Sequence, residues 1–178
     1  MTEQEKRKGG GGKMSRSETV TVRLDPRLRY LAELAALKHR RSLSSFIEWA
    51  IEDALGRIIL GDGASSNADS APSVLEESAT LWDVDEPDRF AKLAFNYPEL
   101  LTHEEQKRWK LIRENGGLWR GTFETQQPHS WIWQVSEQNL DVEKLRRYWP
   151  AFCAVAKGEE PASALPDWVK EDPNAIPF

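Results

Sequence analysis

The stretch Thr19-Val20-Thr21-Val22-Arg23-Leu24-Asp25-Pro26 decides how the first part of this 178-residue chain is read. Apolar and polar residues alternate over its first six positions, which is the period of a strand. Val20, Val22 and Leu24 fall on one face; Thr19, Thr21 and Arg23 fall on the other. Asp25-Pro26 marks a helix start, with proline in the first turn where its missing amide costs nothing. A single strand cannot form a sheet, and two short helices cannot cover its apolar face. A second chain supplying a second strand is the natural completion.

Two amphipathic helices follow. The first places Leu28, Leu31, Ala32, Ala35 and Ala36 on a common stripe, with Leu34 and Leu37 flanking it. Arg27, Arg29, Glu33 and Lys38 are left to solvent. Arg40-Arg41-Ser42-Leu43-Ser44-Ser45 separates the helices. Ser42 is a candidate N-cap, and Ser45 with Glu48 offers an alternative capping box. Phe46, Ile47, Ala50, Ile51, Ala54, Leu55 and Ile58 form the apolar stripe of the second helix, which Gly56 weakens near its end. Trp49 lies at the edge of that stripe, placed either for packing at a dimer interface or for docking of the C-terminal domain.

As a set, T-V-T-V-R-L-D-P, a helix, R-R-S-L-S-S and an apolar helix resemble the ribbon-helix-helix (Arc/MetJ/CopG-like) DNA-binding family over residues 18–58. The resemblance implies a homodimer whose paired strands enter the DNA major groove. Thr19, Thr21 and Arg23 would then contact base edges, Arg23 donating two hydrogen bonds to guanine and each threonine offering a hydroxyl and a methyl. It also implies phosphate contacts at the start of the second helix. These would come from the amides of Leu43 and Ser44, assisted by Arg40, Arg41 and the hydroxyls of Ser42 and Ser44. Val20, Val22, Leu24, Leu31, Ile47, Ile51 and Leu55 would form the dimer core, and two dimers can sit side by side on repeated half-sites. One departure stands out: many family members carry glycine between the helices, where this chain has His39, Arg40 and Arg41. Either a non-glycine residue adopts the left-handed conformation at a cost of about 1 kcal/mol, or the turn differs by a residue. His39 reads as a helix-end residue rather than a metal ligand.

Composition sets the frame. Hydrophobic residues are 39% and charged residues 30%, as in a soluble globular protein with some disorder. No apolar run of about 18 residues exists, which excludes a membrane-spanning helix. The charged, glycine-rich residues 1–12 are not a secretory signal. Cys153 is the only cysteine, so no intrachain disulfide can form and a reducing, cytoplasmic setting is expected. The net charge of −5 conceals an asymmetry. Residues 1–60 hold 12 Lys+Arg against 8 Asp+Glu, and residues 61–178 hold 12 against 21. The basic half therefore marks an interaction surface, and the acidic half argues against a second DNA site.

Residues 1–17 read as a flexible basic arm, with Lys6, Arg7, Lys8, Lys13 and Arg16 around Gly9 to Gly12. The arm is either an added segment ahead of Met14 or a source of further phosphate contacts. Residues 18–60 form the ribbon-helix-helix domain, and 61–73, GDGASSNADSAPS, a linker. Residues 74–157 read as an α+β, mostly helical interaction domain, and 158–178 as an extended tail. Within that domain we expect a short helix in Leu75–Trp82, and a helix Arg89–Asn96 capped by Asp88. We further expect a helix His103–Asn115 with a Thr102/Glu105 capping box and a hairpin from Leu118–Phe123 and Trp131–Val135, interrupted by Gln127-Pro128. A last helix Asp141–Ala156 starts at Asn139 or Asp141 and is kinked or interrupted near Pro150. Trp82, Trp109, Trp119, Trp131, Trp133, Trp149 and Trp168 all follow the linker, most of them as core.

The fold class expected is mainly α with a short β ribbon, plus a separate C-terminal domain. His103 and His129 read as surface residues, and no nucleophile-base spacing, phosphate-cradling loop, paired carboxylates or metal-ligand cluster is evident. No enzymatic activity, cofactor or metal is therefore expected. The function expected is a homodimeric transcriptional repressor whose partners are double-stranded DNA, a second copy of itself and, through the C-terminal domain, a protein. The alternatives are an antitoxin of a toxin-antitoxin pair and a plasmid partition or relaxosome accessory protein. No membrane partner is expected.

Overall fold

Asp25 starts the first helix of the chain by accepting the amides of Arg27 and Leu28 at 3.0 Å each, with Pro26 in the first turn. The structure, a computed structural model, describes residues 20–61, 71–123 and 131–166. The basic arm, Thr19, the linker interior 62–70, Gln127-Pro128, His129 and the tail from 167, with Trp168, lie outside the described residues. The chain divides into two units, Met1–Leu55 and Gly56–Phe178. The described residues are mainly helical, with one small antiparallel sheet.

The N-terminal unit contains α1 (Pro26–Lys38) and α2 (Leu43–Leu55), packed against each other. Ser42 caps α2, its hydroxyl accepting the amide of Ser45 at 3.2 Å, so the first of the two caps considered is the one used. Residues Val20 to Leu24 form no strand in the single chain. Helix α2 ends at Leu55, before Ile58, so Ile58 leaves the expected apolar stripe. Its carbonyl instead accepts the amide of Val74 at 2.9 Å, while the Leu60 amide donates to Pro72 at 2.8 Å. These bonds frame a bridge between Ile59 and Ser73. The division therefore falls at Gly56, and the end of the expected linker, Pro72 and Ser73, is built into the second unit.

The second unit contains α3 (Ser78–Leu81), α4 (Glu86–Asn96), α5 (His103–Glu114), the hairpin β1 (Gly121–Phe123) and β2 (Trp131–Trp133), and α6 (Val142–Lys157). Thr102 and Glu105 form the expected capping box, Thr102 Oγ1 accepting the Glu105 amide at 3.4 Å and Glu105 accepting the Thr102 amide at 2.8 Å. Helix α4 starts at Glu86 with Asp85 at its N-cap position, not at Asp88. Asp88 is buried in the first turn and accepts Arg146 Nε at 2.8 Å and Nη2 at 2.7 Å, so a tertiary ion pair takes the side chain that the sequence assigned to a cap. These hydrogen bonds also hold the Arg146 guanidinium above its ordinary pKa.

In the hairpin, Thr122 stands opposite Ile132, and a separate isolated bridge joins Trp119 to Leu140. Gly121 is required there, because a Cβ would collide with the Ile132 carbonyl. Helix α6, capped by Asp141 and closed by left-handed Gly158, runs unbroken through Pro150. That proline is exposed, so its ring is accommodated at the cost of one donor to the Arg146 carbonyl rather than by a break. The tail is not extended where it is described: Ala162–Ala164 forms a 3-10 turn, and Asn115 Nδ2 donates to the Pro166 carbonyl at 3.3 Å.

Phe90, Trp109, Ile112, Leu118, Trp119, Leu145, Trp149 and Phe152 make the core of this unit. Two indoles bond carbonyls in the last turn of α5, where few helical donors remain, and a third bonds a carbonyl just beyond it. Trp119 donates to the Ile112 carbonyl at 2.9 Å, Trp133 to Arg113 at 3.1 Å and Trp131 to Gly116 at 3.1 Å. Arg108 is buried against the rings of Phe90 and Trp149, with its guanidinium carbon 5.4 and 4.8 Å from their centroids. No helix among the described residues is long and apolar enough to cross a membrane.

Candidate nucleic-acid interface

The N-terminal unit leaves much of its apolar surface only partly covered. Among the described residues, Ala36 is the only fully buried one in either of its helices. Val20 is 79% exposed, Val22 66%, Ile51 53% and Leu31 50%. A groove of about 630 Å³ is lined by Val20, Val22, Leu24, Leu43 and Ile47, with Arg23 and Arg29 at its border. Five of the expected dimer-core and helix-start residues thus meet around one open apolar depression. Leu31 and Ile51 lie outside that lining, and Leu55 is half-buried. An apolar groove of this size on a small helical pair has a cost in water unless something covers it.

The turn between the helices carries the charge. Arg40 takes the left-handed conformation, with φ of 54°, and is the one such non-glycine residue among those described. Its amide donates to the Leu37 carbonyl at 3.0 Å and that of Arg41 to Ala36 at 2.9 Å. This is the Schellman arrangement, usually completed by glycine, so of the two turn geometries the sequence allowed, the left-handed residue is the one present. His39 closes α1 as its C-cap, the helix-end role expected of it.

Beyond the turn, Ser42 is exposed, and the amides of Leu43 and Ser44 stand in the first turn of α2, where helix geometry supplies no acceptor. Among the described residues no carboxylate pairs with Arg23, Arg40 or Arg41, whereas Arg29 is paired with Glu33 at 3.0 Å. Thr21 and Arg23 are exposed; Thr19 lies outside the described residues. A strip of unpaired guanidinium groups and helix-terminus amides attracts anions such as phosphate.

No family model, curated protein or solved structure matches the chain.

An aromatic cluster at the turn joins residues that sequence reasoning did not place in the site. His39, Phe46 and Trp49 have centroid separations of 5.1 Å for His39–Trp49, 5.7 Å for Phe46–Trp49 and 6.2 Å for His39–Phe46. The Arg41 guanidinium lies 5.8 Å from the Trp49 centroid. The signal in the sequence was Trp49 itself: helical side chains lean toward the N-terminus, so a large ring there covers the turn that precedes its helix. Trp49 packs within its own unit.

Proposed function

We propose that this chain is a homodimeric, sequence-specific DNA-binding protein of the ribbon-helix-helix kind, acting as a transcriptional repressor. The observation that carries the reading is the open groove of Val20, Val22, Leu24, Leu43 and Ile47 beside Arg23. A second copy pairing through residues 19–24 would cover that groove and join the two unpaired segments into a ribbon, a width the major groove accepts. Thr19, Thr21 and Arg23 would then point to base edges, while the amides of Leu43 and Ser44, with Ser42, Arg40 and Arg41, take phosphates. The basic balance of residues 1–60 favours the same surface.

The C-terminal unit closes its own core, which favours a domain for oligomerisation or partner binding over a tail that orders on a toxin. Its exposed Trp82, Val84, Ile132 and Val135 are apolar surface available for that role.

The test is to sequence DNA fragments selected by the purified wild-type chain and by Arg23→Ala. The substitution is expected to weaken binding by about 1–3 kcal/mol and to relax base preference at one position of each half-site. An unchanged site preference would remove Arg23 from the groove. A wild-type chain that selects no sequence would end the regulator reading.

A further inference from the structure

Two adjacent arginines precede α2, and the structure treats them differently. Arg40 occupies the left-handed position that closes α1, and no ring or carboxylate among the described residues contacts its guanidinium. Arg41 lies over the face of Trp49 with its guanidinium carbon 5.8 Å from the ring centroid. The indole also contacts His39, with ring centroids 5.1 Å apart, and Phe46, at 5.7 Å. A guanidinium resting over a ring face in a cation–π contact keeps N–H donors directed away from the ring, where they can still clasp a phosphate.

We infer that Arg41 is the arginine that clasps a DNA phosphate beside the α2 amides, and that Trp49 is the residue that positions it. The inference rests on the DNA-binding reading above. Trp49 itself does not touch DNA. It acts by restricting the rotamers of Arg41, so less freedom is given up when the phosphate binds. Arg40, unrestrained, contributes as a mobile charge.

The test uses the full chain and a labelled random-sequence duplex, which reports phosphate neutralisation without any operator. Binding is followed by anisotropy over a series of salt concentrations. Each phosphate that a variant no longer neutralises flattens the plot of log K against log salt by about 0.9. Arg41→Ala should flatten it by that amount per chain, and Arg40→Gly by less. Trp49→Leu keeps an apolar side chain but no π face; it should also flatten the plot and weaken binding roughly 2- to 10-fold. Adding Arg41→Ala to it should cost less slope than Arg41→Ala costs in the wild type, because Arg41 is already an unrestrained charge in that background. Trp49→Phe should restore a steeper slope.

A DNA-free readout accompanies these: the Arg41 δ-methylene protons should be shifted upfield by the indole in the wild type and not in Trp49→Leu. If Trp49→Leu loses its helical circular dichroism, Trp49→Phe decides, because Arg41→Ala in that background must then cost less slope than in the wild type. A wild-type slope in Trp49→Leu, or effects of Trp49→Leu and Arg41→Ala that simply add, would overturn the role of Trp49. A wild-type slope in Arg41→Ala would overturn both roles while leaving DNA binding intact. Failure of the wild type to bind the duplex at low salt would instead defeat the DNA-binding reading, and this inference with it.

Discussion

The two units of this chain treat apolar surface in opposite ways. In the second unit Ile112, Leu118, Trp119, Leu145 and Phe152 are completely buried, and the indole N–H groups of Trp119, Trp131 and Trp133 find carbonyls at and just beyond the end of α5. In the first unit, leucines and valines of comparable number stand in the open and a single alanine is buried. The second unit covers its largest apolar side chains with its own residues, whereas the first leaves many of its own exposed. A surface left open by a single chain is where another molecule would have the most to gain.

The sharpest way to break this contrast is to compare how each unit responds to loss of an apolar side chain. Phe152→Ala should destabilise the second unit by about 3–5 kcal/mol, because a large ring is removed from a closed core. Thermal melts of that variant should not depend on protein concentration. Ile51→Ala should cost less, about 2 kcal/mol, and its melting temperature should rise with concentration, as expected when folding is coupled to pairing. Equal, concentration-independent losses at both positions would mean that the first unit stands alone.

Arg40→Gly sharpens the comparison from the other side. It should raise the stability of the first unit by up to about 1 kcal/mol, since glycine accepts a φ of 54° without strain, and leave the second unit's transition unmoved. Differential scanning calorimetry of the full chain would show which transition shifts.

The smallest expected effect is one of pH, confined to the second unit. The Lys92 ammonium at 2.9 Å, and after it the Asp85 amide, hold the Asp83 carboxyl below its usual value. A carboxyl with a depressed folded-state pKa stabilises above the ordinary aspartate range and loses that contribution as pH falls through it and below. Asp83→Asn should therefore lower the second transition slightly at neutral pH and converge with the wild type in acid. A difference between variant and wild type that persists unchanged into acid would contradict the assignment.

Much of the local structure was legible along the chain. Asp25-Pro26, Ser42, Thr102 with Glu105, and Asp141 each start the helix their side chains can cap, because capping involves residues at most three positions apart. The same locality explains the error at Asp88. Its spacing suits a cap, but Arg146 lies 58 positions away and makes two hydrogen bonds to it, a relation no local pattern encodes. Ile58 fits the helical period of α2 yet pairs by backbone with residues beyond 71, for the same reason. At the candidate interface, the alternation from Thr19 to Leu24 identified the apolar residues that meet in the groove. It did not identify the ring that sorts Arg41 from Arg40.

By itself, then, the sequence determined what depends on neighbours: helix starts, the basic turn, the alternating segment with too little of its own to pack against, and the break between a basic and an acidic half. Only the tertiary structure decided which polar side chains serve distant partners, where the units divide, and which of two adjacent arginines is held on a ring. The physical reason is range. Capping and periodicity act within a turn or two of chain, whereas burial, ion pairs and stacking depend on how separate segments come together.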